Sequence, residues 1–309
     1  MQKFIYFVLV VLITCIHAGS NNFSICESTF PLNKKQDKML EKIDFVKMHG
    51  LGNDFVIVKS ENLLSSQRNL KQVAMEISNR RTGIGCDQFV VYEKIRTSYY
   101  NMTLYNIDGS FVKICGNAAR CLAKLISDET GEKEFTIKST IKDLKCRINE
   151  HTVTVNMGKV SFQEPWMPSM EKIRSVIEPF AEDLSNLICV DVANPHLVIF
   201  GIFTESNKLL VGKKLQNLEY FEDGVNVSFV TIKDNKIHVF IWERGAGPTL
   251  ACGSAACASF ASSLKFGLVE SPSEVIFTLG NISMSEQNGD LLMTGETTFV
   301  AEGKYYHYF

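Results

Sequence analysis

Two short stretches of this chain open with cysteine and glycine and are nearly the same, Cys115-Gly116-Asn117-Ala118-Ala119 and Cys252-Gly253-Ser254-Ala255-Ala256. Each runs into a segment that reads as a helix, so two thiols stand at two equivalent helix starts. A helix N-terminus presents unpaired backbone N–H groups and a partial positive charge, which lower a thiol's pKa and can also hold a carboxylate. A thiolate placed there can serve as nucleophile, metal ligand or base. Structural zinc wants four Cys or His ligands at short, regular spacing, whereas the second thiols here, Cys121 and Cys257, fall inside the helices. A cysteine hydrolase needs one thiol and an orienting histidine; His196 in Asn194-Pro195-His196 is the placed candidate, but that chemistry leaves the second Cys-Gly copy without a task. Paired thiols in like settings suit proton transfer at carbon: one thiolate removes a proton from one face, the other thiol delivers one to the opposite face, and the centre inverts.

The rest of the composition narrows the partner. A chain of 309 residues, 45% hydrophobic and with a formal charge of −2, is long and apolar enough for one large domain or two. It carries no basic stripe or acidic block, which argues against a nucleic-acid or membrane-surface partner and for a small-molecule substrate. Nine cysteines, an odd number spread over a long chain, do not form a disulfide framework, so most are expected as free thiols. No phosphate loop or dinucleotide fingerprint stands out, and no cofactor or metal is expected. Residues 1–38 are a separate piece: Lys3, the apolar run Phe4 to Ile16 and the small residues after it read either as a secretory leader or as an extension ahead of Met39. A cytoplasmic enzyme is expected, with a cleaved leader as the alternative.

The elements that must position the thiols follow from periodicity and turns. Phe45 to Met48 and Phe55 to Val58 read as strands around the glycine-rich loop His49-Gly50-Leu51-Gly52-Asn53-Asp54. Leu70, Val73, Ala74 and Ile77 share one helical face. Strands are predicted at 88–93, 101–105, 135–138, 145–149 and 152–156, with the first motif helix at 118–127. The stretch 158–170, with Pro165 and Pro168, reads as a crossing between halves. The second half repeats the scheme: strands at 187–192, 197–200, 225–232 and 236–243, a helix within 208–218, the second motif helix at 255–266, and three further strands ending near Ala301. The prediction is an α+β protein made by internal duplication, its N-terminal domain at 43–159 and its C-terminal domain at 160–297.

Read in chain order, Lys47-Met48-His49-Gly50-Leu51-Gly52-Asn53-Asp54-Phe55, Gly83-Ile84-Gly85-Cys86-Asp87-Gln88, Asn106-Ile107-Asp108-Gly109-Ser110, Cys115 to Cys121, Asn194-Pro195-His196, Val225-Asn226-Val227 and Glu243-Arg244-Gly245-Ala246-Gly247 with Leu250-Ala251-Cys252-Gly253 resemble the diaminopimelate epimerase family. The likeness extends from about residue 43 to the C-terminus. It implies two pseudo-symmetric domains, each a curved, mostly antiparallel sheet or barrel around a central helix, with a closing strand at 298–309 that returns to the first domain. It further implies a homodimer and cofactor-independent interconversion of LL- and meso-diaminopimelate, on the route to lysine and peptidoglycan precursors, with Cys115 and Cys252 as acid and base.

Other roles carry over by the same resemblance. Gly116-Asn117 and Gly253-Ser254 would offer N–H groups to the reacting carboxylate. Asn53 and Gln88 resemble groups holding the reacting amino-acid end, and Asn106, Asn194, Asn226 and Arg244 those holding the distant end, where a guanidinium can grip a carboxylate bidentately. His196 and Glu243 match residues that support the thiols and the ammonium group. Asp87 is open between orienting backbone and touching substrate, and His49 reads as structural. The chain departs from the pattern at Ala118 and Ala255, where glycine is common, at Pro248, which would stiffen its loop, at Phe221-Glu222, which lacks a proline, and at Cys86, an added and oxidisable thiol. A proline or hydroxyproline racemase and an amino-acid-binding protein without turnover remain the alternative readings.

Overall fold

Strands buried on both faces and strands alternating between core and solvent divide this chain, and the difference shows where the helices lie. The computed structural model describes residues 40–63 and 69–308; the leader-like segment 1–38 lies outside them. The first half runs β1 (Leu40–Gly50), β2 (Asn53–Lys59), α1 (Leu70–Ser78), β3 (Gln88–Arg96), β4 (Tyr99–Asn106), β5 (Phe111–Val112), α2 (Gly116–Thr130), β6 (Glu134–Lys138), β7 (Asp143–Ile148) and β8 (Val153–Gly158). Helix α3 (Met170–Ile177) leads into β9 (Asp183–Asp191), β10 (Pro195–Ile202), α4 (Glu205–Gln216), β11 (Asn226–Lys233), β12 (Lys236–Glu243) and β13 (Gly247–Thr249). Helix α5 (Gly253–Lys265), β14 (Ser273–Phe277), β15 (Gly280–Gln287), β16 (Asp290–Gly295) and β17 (Thr298–Tyr308) complete an α+β fold.

The strand pairings repeat. In the first half β1·β2 is antiparallel, β2·β3 parallel, β3·β4 antiparallel, β4·β6 parallel, and β6·β7 and β7·β8 antiparallel. The second half gives the same series over β9, β10, β11, β12, β14, β15 and β16. The equivalent last strands, β8 and β16, pair antiparallel with each other through Val155↔Met293 and Asn156↔Leu292. Shifting 155 and 156 by the 137 residues that separate Cys115 from Cys252 gives 292 and 293, so each of these pairs maps onto the other, as a two-fold relation requires. Strand β17 pairs with β1.

Packing explains the two kinds of strand. Phe55-Val56-Ile57-Val58 of β2 and His196-Leu197-Val198-Ile199-Phe200 of β10 are buried on both faces, because an inner core around α2 and α5 covers one side and an outer core covers the other. The outer cores gather beneath α1 in the first half and beneath α3 and α4 in the second. Strands β7, β8, β14 and β16 have no outer helix and alternate buried with partly exposed residues. Helix α5 contacts β9, β10, β11, β12, β14, β15 and β16. It can sit so centrally because it is built of Ala, Ser, Cys and Phe with little charge, and a helix apolar on all sides belongs in a core. No helix among the described residues is long and apolar enough to cross a membrane.

Three elements escape the sequence prediction, the first of them the two-residue strand β5, which pairs with β4. Helix α3 lies past the proline-rich crossing, and β13 forms within the loop before Cys252. Pro248 occupies that short strand opposite Trp242 and is exposed; a residue without an N–H is tolerated at such a sheet margin.

Candidate active site

Cys115 and Cys252 are the N-cap residues of α2 and α5, with nearly equal backbone angles, φ −143° and ψ 113° against φ −138° and ψ 122°. The two helix starts converge. Gly253 packs directly on Asn117, and a side chain at Gly116 would collide with Met293 of β16. Both thiols are free, Cys252 buried and Cys115 partly so.

The electrostatics reverse one expectation. The Cys115 thiol is pushed up to about 11, because burial outweighs the N–H groups of Ala118 and Asn117 and the nearby Arg120 guanidinium, all of which pull it down, while the Glu243 carboxylate pushes it further up. Cys252 is raised well above the ordinary thiol value, first by burial, then by Glu243 and also by Cys115, against opposing contributions from the Ser254 hydroxyl and the Ala255 N–H. Helix starts alone would lower both, but the dry interior wins. Burial thus favours the thiol form of both sulfurs.

Each sulfur has its own polar neighbours. The Cys115 thiol faces Asn53 Oδ1 across 3.9 Å, and the same oxygen accepts from Asn117 Nδ2 at 3.2 Å. Cys252 Sγ lies 3.3 Å from Ser254 Oγ, which lies 3.0 Å from His196 Nε2. Asn194 completes this group, its Oδ1 3.2 Å from His196 Nε2 and its Nδ2 donating to Ser254 Oγ at 3.4 Å. His196 is fully buried and its imidazole is driven down to about 3 by burial, with Arg244 adding repulsion, so it is neutral at ordinary pH. Glu243 is raised by burial; the Thr249 hydroxyl and the Cys252 thiol each donate to it and moderate the rise.

The remaining predicted residues separate into two sets. Gln88 and Asn106 face each other in register on β3 and β4, Gln88 Nε2 donating to Asn106 Oδ1 at 3.4 Å, while Gln88 Oε1 is buried without a partner. Asn226 has both ends of its amide engaged: Nδ2 donates to Pro195 O at 2.9 Å, and Oδ1 accepts from the Arg244 N–H at 2.9 Å. It thereby ties the ends of β10 and β12 together. The Arg244 guanidinium is anchored by one donation, to Asp223 O at 2.9 Å, and is otherwise exposed.

Three groups make contacts at the site that local sequence does not signal. Ser254 was expected to offer its backbone, whereas its hydroxyl joins His196 to Cys252. Arg80, two residues past the end of α1, has no predicted role, and Asp87 is open between orienting backbone and touching substrate. Together these last two hold Asn53 (below). Their contacts cross strands and loops, so nothing in local spacing signals them. Cys86 departs from its expected role in the other direction: it is fully buried, bonded to Ser78 Oγ at 3.3 Å, and raised by burial, so it is shielded from oxidation. Among the described residues no three His, Cys, Asp or Glu side chains gather closely enough to hold a metal ion.

Known proteins share this sequence pattern and fold. A sequence profile described as Diaminopimelate epimerase matches residues 45–163 and 188–300. The diaminopimelate epimerases of Rickettsia massiliae and Rickettsia felis are each 54% identical over 269 residues, covering 87% of this chain and 99% of theirs. Among solved structures, a predicted epimerase from Pseudomonas aeruginosa is similar with a TM-score of 0.65 at 15% identity, over 85% of this chain and 98% of its own. A hydroxyproline epimerase from Agrobacterium vitis is similar with a TM-score of 0.56 at 10% identity, over 86% and 91%. At those identities the likeness is one of fold.

Proposed function

Since the chain belongs to the diaminopimelate epimerase family and is an isomerase of that kind, we propose that it interconverts LL- and meso-diaminopimelate with Cys115 and Cys252 as its two acid–base groups and no cofactor. The observation that carries this reading is the convergence of two equivalent helix starts, each capped by a free thiol. The α-carboxylate sits between them, where the N–H groups of Gly116-Asn117 and Gly253-Ser254 stabilise the negative charge that grows as the α-proton leaves. One sulfur, having released its proton to solvent as substrate enters, takes the α-proton; the other, still S–H, gives its own to the opposite face, and a proton taken up from solvent restores the starting pair once product leaves. For the reverse isomer the roles exchange, and the protons balance in each turnover.

The polar side chains then divide the substrate, with Gln88 and Asn106, bonded to each other, meeting between its two ends. Asn53 and Gln88 hold the reacting end, while Asn106, Asn194, Asn226 and Arg244 hold the far amino-acid group. Asn226 acts there by fixing the Arg244 backbone, and Arg244 retains free donors for a carboxylate. A neutral His196 steadies Ser254 beside Cys252, and Glu243 meets the ammonium group. The same reading includes a homodimer, located in the cytoplasm, whose two domains are the two halves of the repeated pairing.

Purified protein in D2O should incorporate deuterium at the α-carbon of diaminopimelate, and C115A and C252A should each abolish epimerisation. Absence of exchange under reducing conditions, or proline turnover exceeding that on diaminopimelate, would overturn the assignment.

A further inference from the structure

Asn53 is held in one orientation by a charge network that reaches it from behind. Asp87 Oδ2 accepts from Asn53 Nδ2 at 3.0 Å and from the Asp54 N–H at 3.1 Å, and Asp87 Oδ1 accepts from Arg80 Nη2 at 2.8 Å. Arg80 also grips Asp54 with two donations, at 3.0 and 2.7 Å, while the Asp87 N–H donates to Asp54 Oδ1 at 2.8 Å. Lys47 adds a second cation on Asp54 at 3.0 Å and donates to Gly85 O at 2.6 Å, which fastens the network to the neighbouring loop.

The chemistry of the partners decides the amide's orientation. An ionised carboxylate only accepts hydrogen bonds, so the Asn53 NH2 must face Asp87 and its carbonyl oxygen must face away. That direction is where the Cys115 thiol and Asn117 Nδ2 stand. An amide oxygen accepts an S–H and repels a thiolate, whereas an amide nitrogen would do the reverse.

We propose that Asp87, anchored by Arg80, is a positioning residue that acts through Asn53, presenting the amide oxygen to Cys115 and so keeping the proton on that sulfur until substrate arrives. This rests on the two-thiol reading and adds to it a difference between the thiols: Cys252 has no such amide, its neighbours being Ser254 and Glu243. Among the described residues the other charged or titratable groups around Cys115 are Glu243 of β12, which also opposes its thiolate, Arg120 of its own helix, which favours it, Cys121 further along that helix, and Cys252 at the start of α5.

Alkylation by iodoacetamide tests the coupling without turnover, because its rate follows the thiolate fraction. Rates at Cys115 and Cys252 would be measured by peptide mass spectrometry across pH for the full-length chain, D87N, N53A and the double variant. In D87N the side chain at 87 can donate, so the Asn53 amide can turn over. Cys115 should then be alkylated about tenfold faster at pH 8, a shift of about one unit in its profile, with Cys252 unchanged, and D87N should add nothing in the N53A background. An unmoved Cys115 profile, an equal shift in the N53A background, or equal acceleration of both thiols would overturn the proposal.

If D87N does not fold, Arg80 carries the same test. A shift at Cys115 in R80M that R80K reverses supports the proposal, and no shift in R80M overturns it. Should C115A retain exchange, the two-thiol reading falls while the Asp87–Asn53 coupling is still measured. Should C115A be inactive and the coupling absent, only this inference falls.

Discussion

Asn117 and Gly253 touch where the two helix starts meet: a Cβ on Gly253 would stand 3.3 Å from Asn117 Oδ1 and 3.5 Å from the Asn117 backbone nitrogen. Met293 Sδ lies 3.3 Å away on the same side, so an added methyl group has little room. Gly253→Ala should therefore destabilise by about 1–3 kcal/mol through overpacking and slow exchange by parting the helix starts. Urea unfolding with exchange kinetics would measure both, and a variant of wild-type stability and rate would show that the close approach is unimportant.

His196 gives the stability a sign in acid. Its folded value of about 3 lies below the ordinary 6.5, so the unfolded chain binds the proton first. The contribution is fully present above about pH 6.5 and is lost as pH falls toward 3, at up to about 1.4 kcal/mol per pH unit. Between pH 7 and pH 5 the wild type should lose roughly 2 kcal/mol more than H196Q. Parallel losses in the two proteins, measured by urea unfolding, would mean that the imidazole is charged in the fold.

Glu243 has the opposite dependence. Burial raises its carboxyl above the ordinary 4.5, so its stabilising contribution is complete below that value and is lost as pH rises through the folded one. The stability of wild type relative to E243Q should accordingly fall from pH 4 to pH 7. A relative stability that rises over the same interval would place a cationic partner beside Glu243.

Arg120 combines stability with reactivity. It is fully buried, and among the described residues none of its three guanidinium nitrogens has a hydrogen-bond partner, yet its charge favours a thiolate at Cys115. R120M, apolar and similar in length, should be at least as stable as wild type, because it removes an uncompensated buried charge. It should also be slower in exchange, on the order of tenfold, about 1.4 kcal/mol in barrier. A loss of more than about 3 kcal/mol of stability would reveal a paired anion.

How much of this was legible in the sequence depended on the range of the interaction. The motif helices, α1 and the strands Phe55–Val58 and Leu197–Phe200 could be read because helical and strand periods are local. So could the thiols as helix caps, since the glycine after each cysteine marks a start. The direction of the thiol pKa shift could not, because desolvation depends on everything packed around Cys115 and Cys252. Nor could the link from Arg80 through Asp87 to Asn53, which joins α1's C-terminal loop to β2 and then to α2. Pro248 read as a loop stiffener, although its place opposite Trp242 is set by β12, five residues back at its nearest end.

The antiparallel seam between β8 and β16, with Val155↔Met293 and Asn156↔Leu292 exchanging places, bears on handedness. A chain of L-amino acids cannot contain a mirror plane, and yet an epimerase must treat two mirror-related forms of one carbon evenly. Rotation supplies what reflection cannot. A half-turn about an axis lying in the plane of a flattened carbanion exchanges its two faces, so a duplicated fold can bring the same chemical group to each face. Groups that depart from that rotation, among them Asn117 opposite Ser254 and Asn53 beside one sulfur, give the two faces different surroundings.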